Sequence, residues 1–234
     1  MFAAKGELFM YRYELHCHTK ETSKCASACA VEMIDFYKSI GYTGVVITDH
    51  FFNGNTTVPR DIPWPERVEM FVQGFENAQK RGKEIGVDVF FGWEFSLHGS
   101  DFLTYGLDKD WLLKHEDCHK LKINDYCDLV HADGGFIVHA HPFREASYID
   151  MIKLLPRKVD AVETFNAGRT DFENKLADQY ADNYSLPKVF GSDNHAGYIK
   201  RIAAVEINEK AASVNHLISL LLENKHKNFV LELL

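Results

Sequence analysis

FMYRYELHCH, residues 9–18, is a β-like run that ends on two histidines one residue apart. In an extended segment the side chains at i and i+2 point to the same face, so His16 and His18 can both turn inward and hold one cation. The same layout recurs down the chain. GVVITDH (44–50) runs into Asp49 and His50, and VDVFFGWE (87–94) into Glu94. GFIVHAH (135–141) runs into His139 and His141, and KVFGSDNH (188–195) into Asp193, Asn194 and His195. Five strand-like runs therefore deliver imidazoles or carboxylates at their C-terminal ends.

Working outward, β-like runs are expected at Phe9 to Leu15, Gly44 to Thr48, Val87 to Trp93, Phe102 to Leu107, Gly135 to Val138, Ala161 to Phe165, Lys188 to Phe190 and Ala203 to Ile207. Segments of helical periodicity alternate with them: AVEMIDFYKSIG stopping at Gly41, a longer one from Glu66 stopping at Gly86, then INDYCDLVHADGG, DFENKLADQYADN and SVNHLISLLLENK. Alternating β and α elements predict an α/β fold with a mainly parallel sheet, and seven or eight such units predict a closed or nearly closed barrel. In such a barrel the C-terminal rim is where βα loops converge and active sites are built.

A length of 234 residues fits one domain, and no Pro, Gly or Ser tract reads as a linker. The net charge of -8 and pI near 5.8 argue against a DNA-coating role or a basic membrane surface. No apolar run approaches the ~20 residues of a bilayer span, and the first residues lack a secretory layout, so a cytoplasmic location is expected. Five cysteines with no CxxC pair suggest neither a disulfide framework nor a zinc ribbon.

Each polar motif has an ordinary explanation when taken alone. TDH can cap a helix through Thr48 or Asp49, and a strand-end Glu is usually solvated. Gathered at five strand ends they are not so explained, because burying that many imidazoles and acids without a cation is costly. The set predicts a metal centre for Zn, Fe or Mn, with Glu94 as the carboxylate that joins two ions. His115, His119, His131, His216 and His226 read as surface residues, while His98 and His139 are unassigned.

Taken together, ELHCH, VITDH, the Glu of GWEFS, AHPFR and GSDNH resemble the PHP family, the polymerase and histidinol phosphatase domain, from about Tyr13 to His195. The resemblance implies a distorted (βα)7 TIM-like barrel forming a single domain over residues 1–234. It also implies two or three divalent metal ions (Mn, Fe or Zn) and hydrolysis of phosphate esters. His16, His18, Glu94 and Asp193 would hold a first metal, and Glu94 would bridge to a second bound by His141. Asp101 stands where the family places a further ligand of that second metal, with His98 as the nearby competitor. His50 and His195 would serve a third metal. After HxH the family has Ser followed within two residues by Asp or His; here the residues are Thr22, Ser23, Lys24 and Cys25.

Two cations sharing a carboxylate predict in-line attack on phosphorus by a metal-bound hydroxide. His50 or His195 is the expected proton donor to the leaving alcohol, and Arg144 the expected fork to a phosphate. Arg169, Lys200 and Arg201 would widen the basic patch, and Asn166 would support a metal-bound water. The expected partners are a phosphorylated small molecule (histidinol phosphate or a nucleotide), a short oligonucleotide, or the phosphate anion. The segment Phe51 to Pro65 reads as a loop over the mouth able to stack a base. The alternatives are a metal-dependent amidohydrolase, which commonly bridges its metals with a modified lysine, and a binding module with a degenerate site.

Overall fold

The computed structural model describes residues 10–233, so the Phe9 end of the first expected strand lies outside the described residues. Nine strands are present among them: β1 Tyr11–Cys17, β2 Gly44–Ile47, β3 Asp88–Leu97, β4 Ser100–Tyr105, β5 Phe136–Ala140, β6 Ala161–Asn166, β7 Lys188–Gly191, β8 Arg201–Ile207 and β9 His226–Glu232. The helices are α1 Ala30–Ser39, α2 Trp64–Phe71, α3 Gln73–Ile85, α4 Lys109–Lys114, α5 Ile123–Ala132, α6 Asp171–Tyr184 and α7 Val214–Leu222. The strands form one sheet in the order β7-β6-β5-β4-β3-β2-β1-β8-β9. Backbone bonds from His18 N to Asn194 O (2.9 Å) and from Asn194 N to His16 O (3.3 Å) tie the end of β1 to the segment after β7. The result is an α/β, nearly closed, barrel-like sheet.

The sheet is mixed, more so than the sequence pattern predicts. β1–β2, β2–β3, β5–β6 and β6–β7 pair in parallel. β3–β4, β4–β5, β1–β8 and β8–β9 pair antiparallel. The run expected at Phe102 to Leu107 is the return arm of a hairpin whose two-residue turn, His98 (φ 46°) and Gly99 (φ 87°), has the positive φ pair that a type I′ turn demands. Because β4 runs backwards, its first residues lie beside the C-terminal ends of β3 and β5, and Asp101 pairs with Ser96 and Ala140. The helix expected from Glu66 to Gly86 is interrupted at Val72, giving α2 and α3. Its predicted stop holds, with Gly86 in the left-handed region (φ 73°). β9 was not anticipated; it is an edge strand whose exposed and half-buried residues pair with β8 alone.

Burial follows the elements. One cluster joins Tyr13, Val46, Leu103, Val138, Ala161, Val189 and Val205, one residue from each of seven strands, to Leu217, Leu220 and Leu221 of α7. A second sets Met33, Ile34 and Tyr37 of α1 and Ala78 of α3 against Val45 and Val89. A third surrounds Trp93 with Phe51, Phe52, Phe71 and Trp111. No helix among the described residues is long and apolar enough to cross a membrane.

Candidate metal centre

The end of β1 turns His16 and His18 to a common point, their Nε2 atoms 3.1 Å apart and both side chains fully buried. Asp193 Oδ1 lies 3.4 Å from His16 Nε2 and 3.3 Å from His18 Nε2. Glu94 Oε1 lies 3.3 Å from His16 Nε2, and its Oε2 3.8 Å from His18 Nε2. A second group shares Glu94: His141 Nε2 is 3.3 Å from Glu94 Oε1, 4.0 Å from Asp101 Oδ2 and 3.7 Å from Asp193 Oδ2. A third group brings donor atoms of His18, His50 and His195 within 4.8 Å of one another. Every residue expected as a metal ligand thus falls within one connected cluster, and Arg144 reaches it with Nη1 3.6 Å from Asp101 Oδ2.

Behind these donors stand acceptors that fix the rings. Glu163 Oε1 takes the N–H of His16 Nδ1 at 2.9 Å, which leaves Nε2 free to face the cluster. The other oxygen of Glu163 accepts from His141 N (2.9 Å) and Asn166 Nδ2 (2.9 Å). Asn166 therefore serves this carboxylate rather than the cluster itself. Ser23 Oγ lies 3.2 Å from His18 Nδ1 and donates to Asp49 Oδ1 at 2.7 Å. Asp49 is otherwise committed to Thr19 N (2.6 Å) and Thr19 Oγ1 (2.7 Å), so it holds the turn after HxH together. Gly191, ending β7, is where close approach requires glycine: a Cβ there would lie 2.3 Å from Glu163 Oε1. Asp193 (φ 54°) and His141 (φ 24°) both occupy left-handed backbone, a strain that persists where surrounding structure holds a functional group in place.

The charge states suit a cation. Burial alone would raise the pKa of Glu94 and Asp193, but His50 and His141 around the first, and His16 and His18 around the second, hold both well below the carboxylate range. Burial, with His195 and His50 nearby, keeps His18 neutral. Asp101 is raised by burial and by the Glu94 charge. His16 is lowered by burial but raised further by Asp193 and Glu163, so a metal ion binding Nε2 would release a proton. Glu94 Oε2 and both ring nitrogens of His141 are buried without a hydrogen-bond partner. His50 Nδ1, 2.6 Å from Glu94 Oε2, also lacks hydrogen-bond geometry. Orphaned acceptors and imidazoles packed this closely are what divalent ions satisfy, and the buried His, Glu and Asp groups fit a polynuclear metal site.

The cluster floors a cavity of about 620 Å³, whose walls include Gly54, Asn55, Arg144, Tyr148, Arg169 and Cys25. Arg144 is also bonded to Tyr148 OH. Arg201 faces away and pairs with Asp171 at 2.6 Å. The aromatic residues of the Phe51 to Pro65 segment are not available to stack a base: Phe51, Phe52 and Trp64 are buried in the core, and only the Gly54–Asn55 bend reaches the cavity. His98 sits exposed in the hairpin turn, and His139 is buried against Phe102 at 4.8 Å between ring centres. Neither belongs to a donor group. Cys25, flagged in sequence as a departure, lies with Sγ 3.0 Å from His50 Nε2. Burial raises its thiol pKa, but hydrogen bonds with His195 and His50 outweigh this and bring it down to about 6.

The PHP domain profile matches residues 14–234. No curated protein matches the chain. Among solved structures, a two-domain Bacteroides vulgatus protein containing a predicted PHP-like metal-dependent phosphoesterase aligns at TM-score 0.71 and 16% identity, over 94% of this chain and 65% of that one. This chain therefore spans just under two thirds of that protein's length. PsfC from Pseudomonas syringae aligns at TM-score 0.63 and 16% identity, covering 95% of this chain and 91% of its own. An amidohydrolase from Chromobacterium violaceum aligns at TM-score 0.55 and 14% identity, over 79% and 87% respectively. At these identities the likeness is one of fold.

Proposed function

The chain belongs to the PHP domain family, and from that premise we propose that it is a metal-dependent phosphoesterase acting on a small phosphorylated molecule or a short oligonucleotide. The observation that carries this reading is Glu94, one buried carboxylate common to two donor groups at the floor of a cavity whose wall carries Arg144. In this reading His16, His18, Glu94 and Asp193 hold one ion, and Glu94, His141 and Asp101 a second. Bound divalent ions supply an acidified water and positive charge against the phosphoryl oxygens.

The chain's own residues do the rest. Arg144 exchanges its contact with Asp101 for a fork to the phosphate, orienting the ester across the cavity. With two ions bound, His195 gives the proton to the leaving alcohol. Burial lowers its pKa, but the bond to Cys25 and the Asp193 charge raise it further, a net upward direction that favours the proton-bearing form needed of a donor. A cavity of about 620 Å³ and a net charge of -8 favour a compact substrate over a long polyanion.

The amidohydrolase reading draws on the same barrel architecture but lacks its usual lysine bridge; Glu94 occupies the shared position. The deciding experiment is a phosphate-release screen across sugar phosphates, histidinol phosphate, nucleotides and short oligonucleotides, with a parallel amide assay. Release from at least one phosphate ester is expected, abolished in Asp193→Ala at unchanged circular dichroism. Arg144→Met should raise KM about tenfold with kcat little changed. Amide turnover without phosphate release would replace this reading with the other.

A further inference from the structure

A second cavity, of about 390 Å³, opens between α2 and the turn Cys118–Lys120, walled by Phe52, Asn53, Arg60, Arg67, His119 and Lys120. It shares no lining residue with the central cavity. Arg67, on α2, is only 6% exposed, with its guanidinium carbon 4.8 Å from the centre of the Phe52 ring and 5.3 Å from that of Trp64. Among the described residues no carboxylate pairs with it, and its Nε is buried without a hydrogen-bond partner. Asp117, whose charge is felt at Arg67, is bonded to Lys120 Nζ at 2.7 Å. His119 Nδ1 is likewise buried and unpartnered, its ring lying parallel to Trp64 at 5.5 Å.

We propose that this pocket is an anion site, separate from the metal centre, that binds a phosphate-class dianion such as inorganic phosphate or a phosphate monoester. A guanidinium stays charged at any physiological pH, so burying it without a counter-ion is costly, and aromatic faces offset that cost only in part. An oxyanion supplies what is missing, because the planar donors of Arg67 fork to two of its oxygens. Charge selects the class of anion. Arg60, Arg67 and Lys120 bring three positive charges to the pocket and Asp117 one negative, an excess that a dianion balances and a monocarboxylate does not. The same field acts on His119. Burial first, and then Arg67, bring its pKa down to about 4, with Lys120 and Arg60 acting in the same direction against Asp117. The ring is therefore neutral near pH 7 and offers the anion an N–H without adding charge. Phe52 and Asn53 wall this pocket while Gly54 and Asn55 wall the central one, so the two sites stand on consecutive residues and the test must resolve them.

The test is to titrate zinc-loaded protein with inorganic phosphate at about pH 7.5, where the dianion predominates. The Arg67 Nε–H and His119 Cε1–H resonances are followed by NMR at constant ionic strength. In wild type both should move and saturate with one Kd. Arg67→Met keeps the packing against Phe52 and Trp64 and should weaken the His119 response about tenfold or more. The exposed pair Arg60→Ser and Lys120→Ser, made together, should weaken it in the same direction without touching a buried residue. Arg144→Met, which alters the central cavity, should leave the response intact. Resonances that stay fixed, that move equally in sodium chloride, or that lose their response in Arg144→Met overturn the proposal. None of these outcomes bears on the phosphate-release screen, so the anion site and the phosphoesterase reading stand or fall separately.

Discussion

Glu163 stands behind His16 rather than at the cavity, and its place shows what one residue adds to a metal centre. It accepts from three groups, His16 Nδ1, His141 N and Asn166 Nδ2, and so aligns a ligand from β1 with one following β5. A glutamine must turn its NH2 toward one of these donors. Glu163→Gln is therefore expected to weaken metal binding by about 10–100-fold, read by competition with a chromogenic chelator, with the fold intact. A change below threefold would reduce Glu163 to packing. The ligands other than Asp101 were legible because each ends an apolar run; Glu163 was not, because it lies within the AVETF strand and meets His16 across 147 residues. His119 was likewise read as surface, yet its ring lies parallel to Trp64 at 5.5 Å. Burial, with Arg67 nearby, lowers its pKa from 6.5 to about 4. The unfolded chain then binds a proton the folded one refuses, so stability falls as pH drops from about 6.5 toward 4, by about 1–2 kcal/mol after screening at this partly covered ring. His119→Phe keeps the stack and should flatten that part of the Tm-against-pH curve; parallel curves for the two proteins would refute the assignment.

Among the elements, the β3–β4 hairpin decides how the second donor group is assembled. Periodicity identified both strands but carries no information on direction, and His-Gly is not the Asn-Gly pair that announces a type I′ turn. Asp101 was nonetheless placed in the site by resemblance, and reversal of β4 explains how a residue near the start of a strand reaches a rim otherwise built from strand ends. The turn is sensitive. A Cβ on Gly99 would meet Ile149 Cγ1 at 2.6 Å, and φ of 87° is costly for any other residue. Gly99→Ala should cost about 1–3 kcal/mol and shift Asp101. Its expected readout is selective, with weaker binding of one metal equivalent while the ion on His16 and His18 is retained. Uniform weakening of all equivalents would mean that the hairpin supports the whole barrel rather than the Asp101 position.

For the whole molecule, the centre joins ligands from β1, β3 and β4 to ligands in the segments after β2, β5 and β7, at the place where the sheet nearly closes. The α/β alternation, the rim and a nearly closed barrel were legible from the order of the elements; the bonds that make the seam were not, because they join the backbone of His16 and His18 to that of Asn194, far apart in sequence. Those bonds flank Asp193, which shares the cluster with Glu94 and Asp101, and three buried carboxylates repel one another unless positive charge lies between them. Metal removal should therefore loosen the seam as well as stop turnover. For ions held at 100 to 1,000 times their Kd, each bound ion contributes about 2.7–4.1 kcal/mol, and a chain of this size shifts by about 2–4 °C per kcal/mol. Chelation is thus expected to lower Tm by roughly 5–15 °C per tightly held ion. Added sodium chloride should not restore it, since screening acts weakly on buried charge. Hydrogen exchange should locate the change, with amides of His18 and Asn194 losing protection before those of Val45 and Val89. A Tm that moves by less than about 1 °C on complete metal removal would show the barrel closing without its ions, and would confine their role to chemistry.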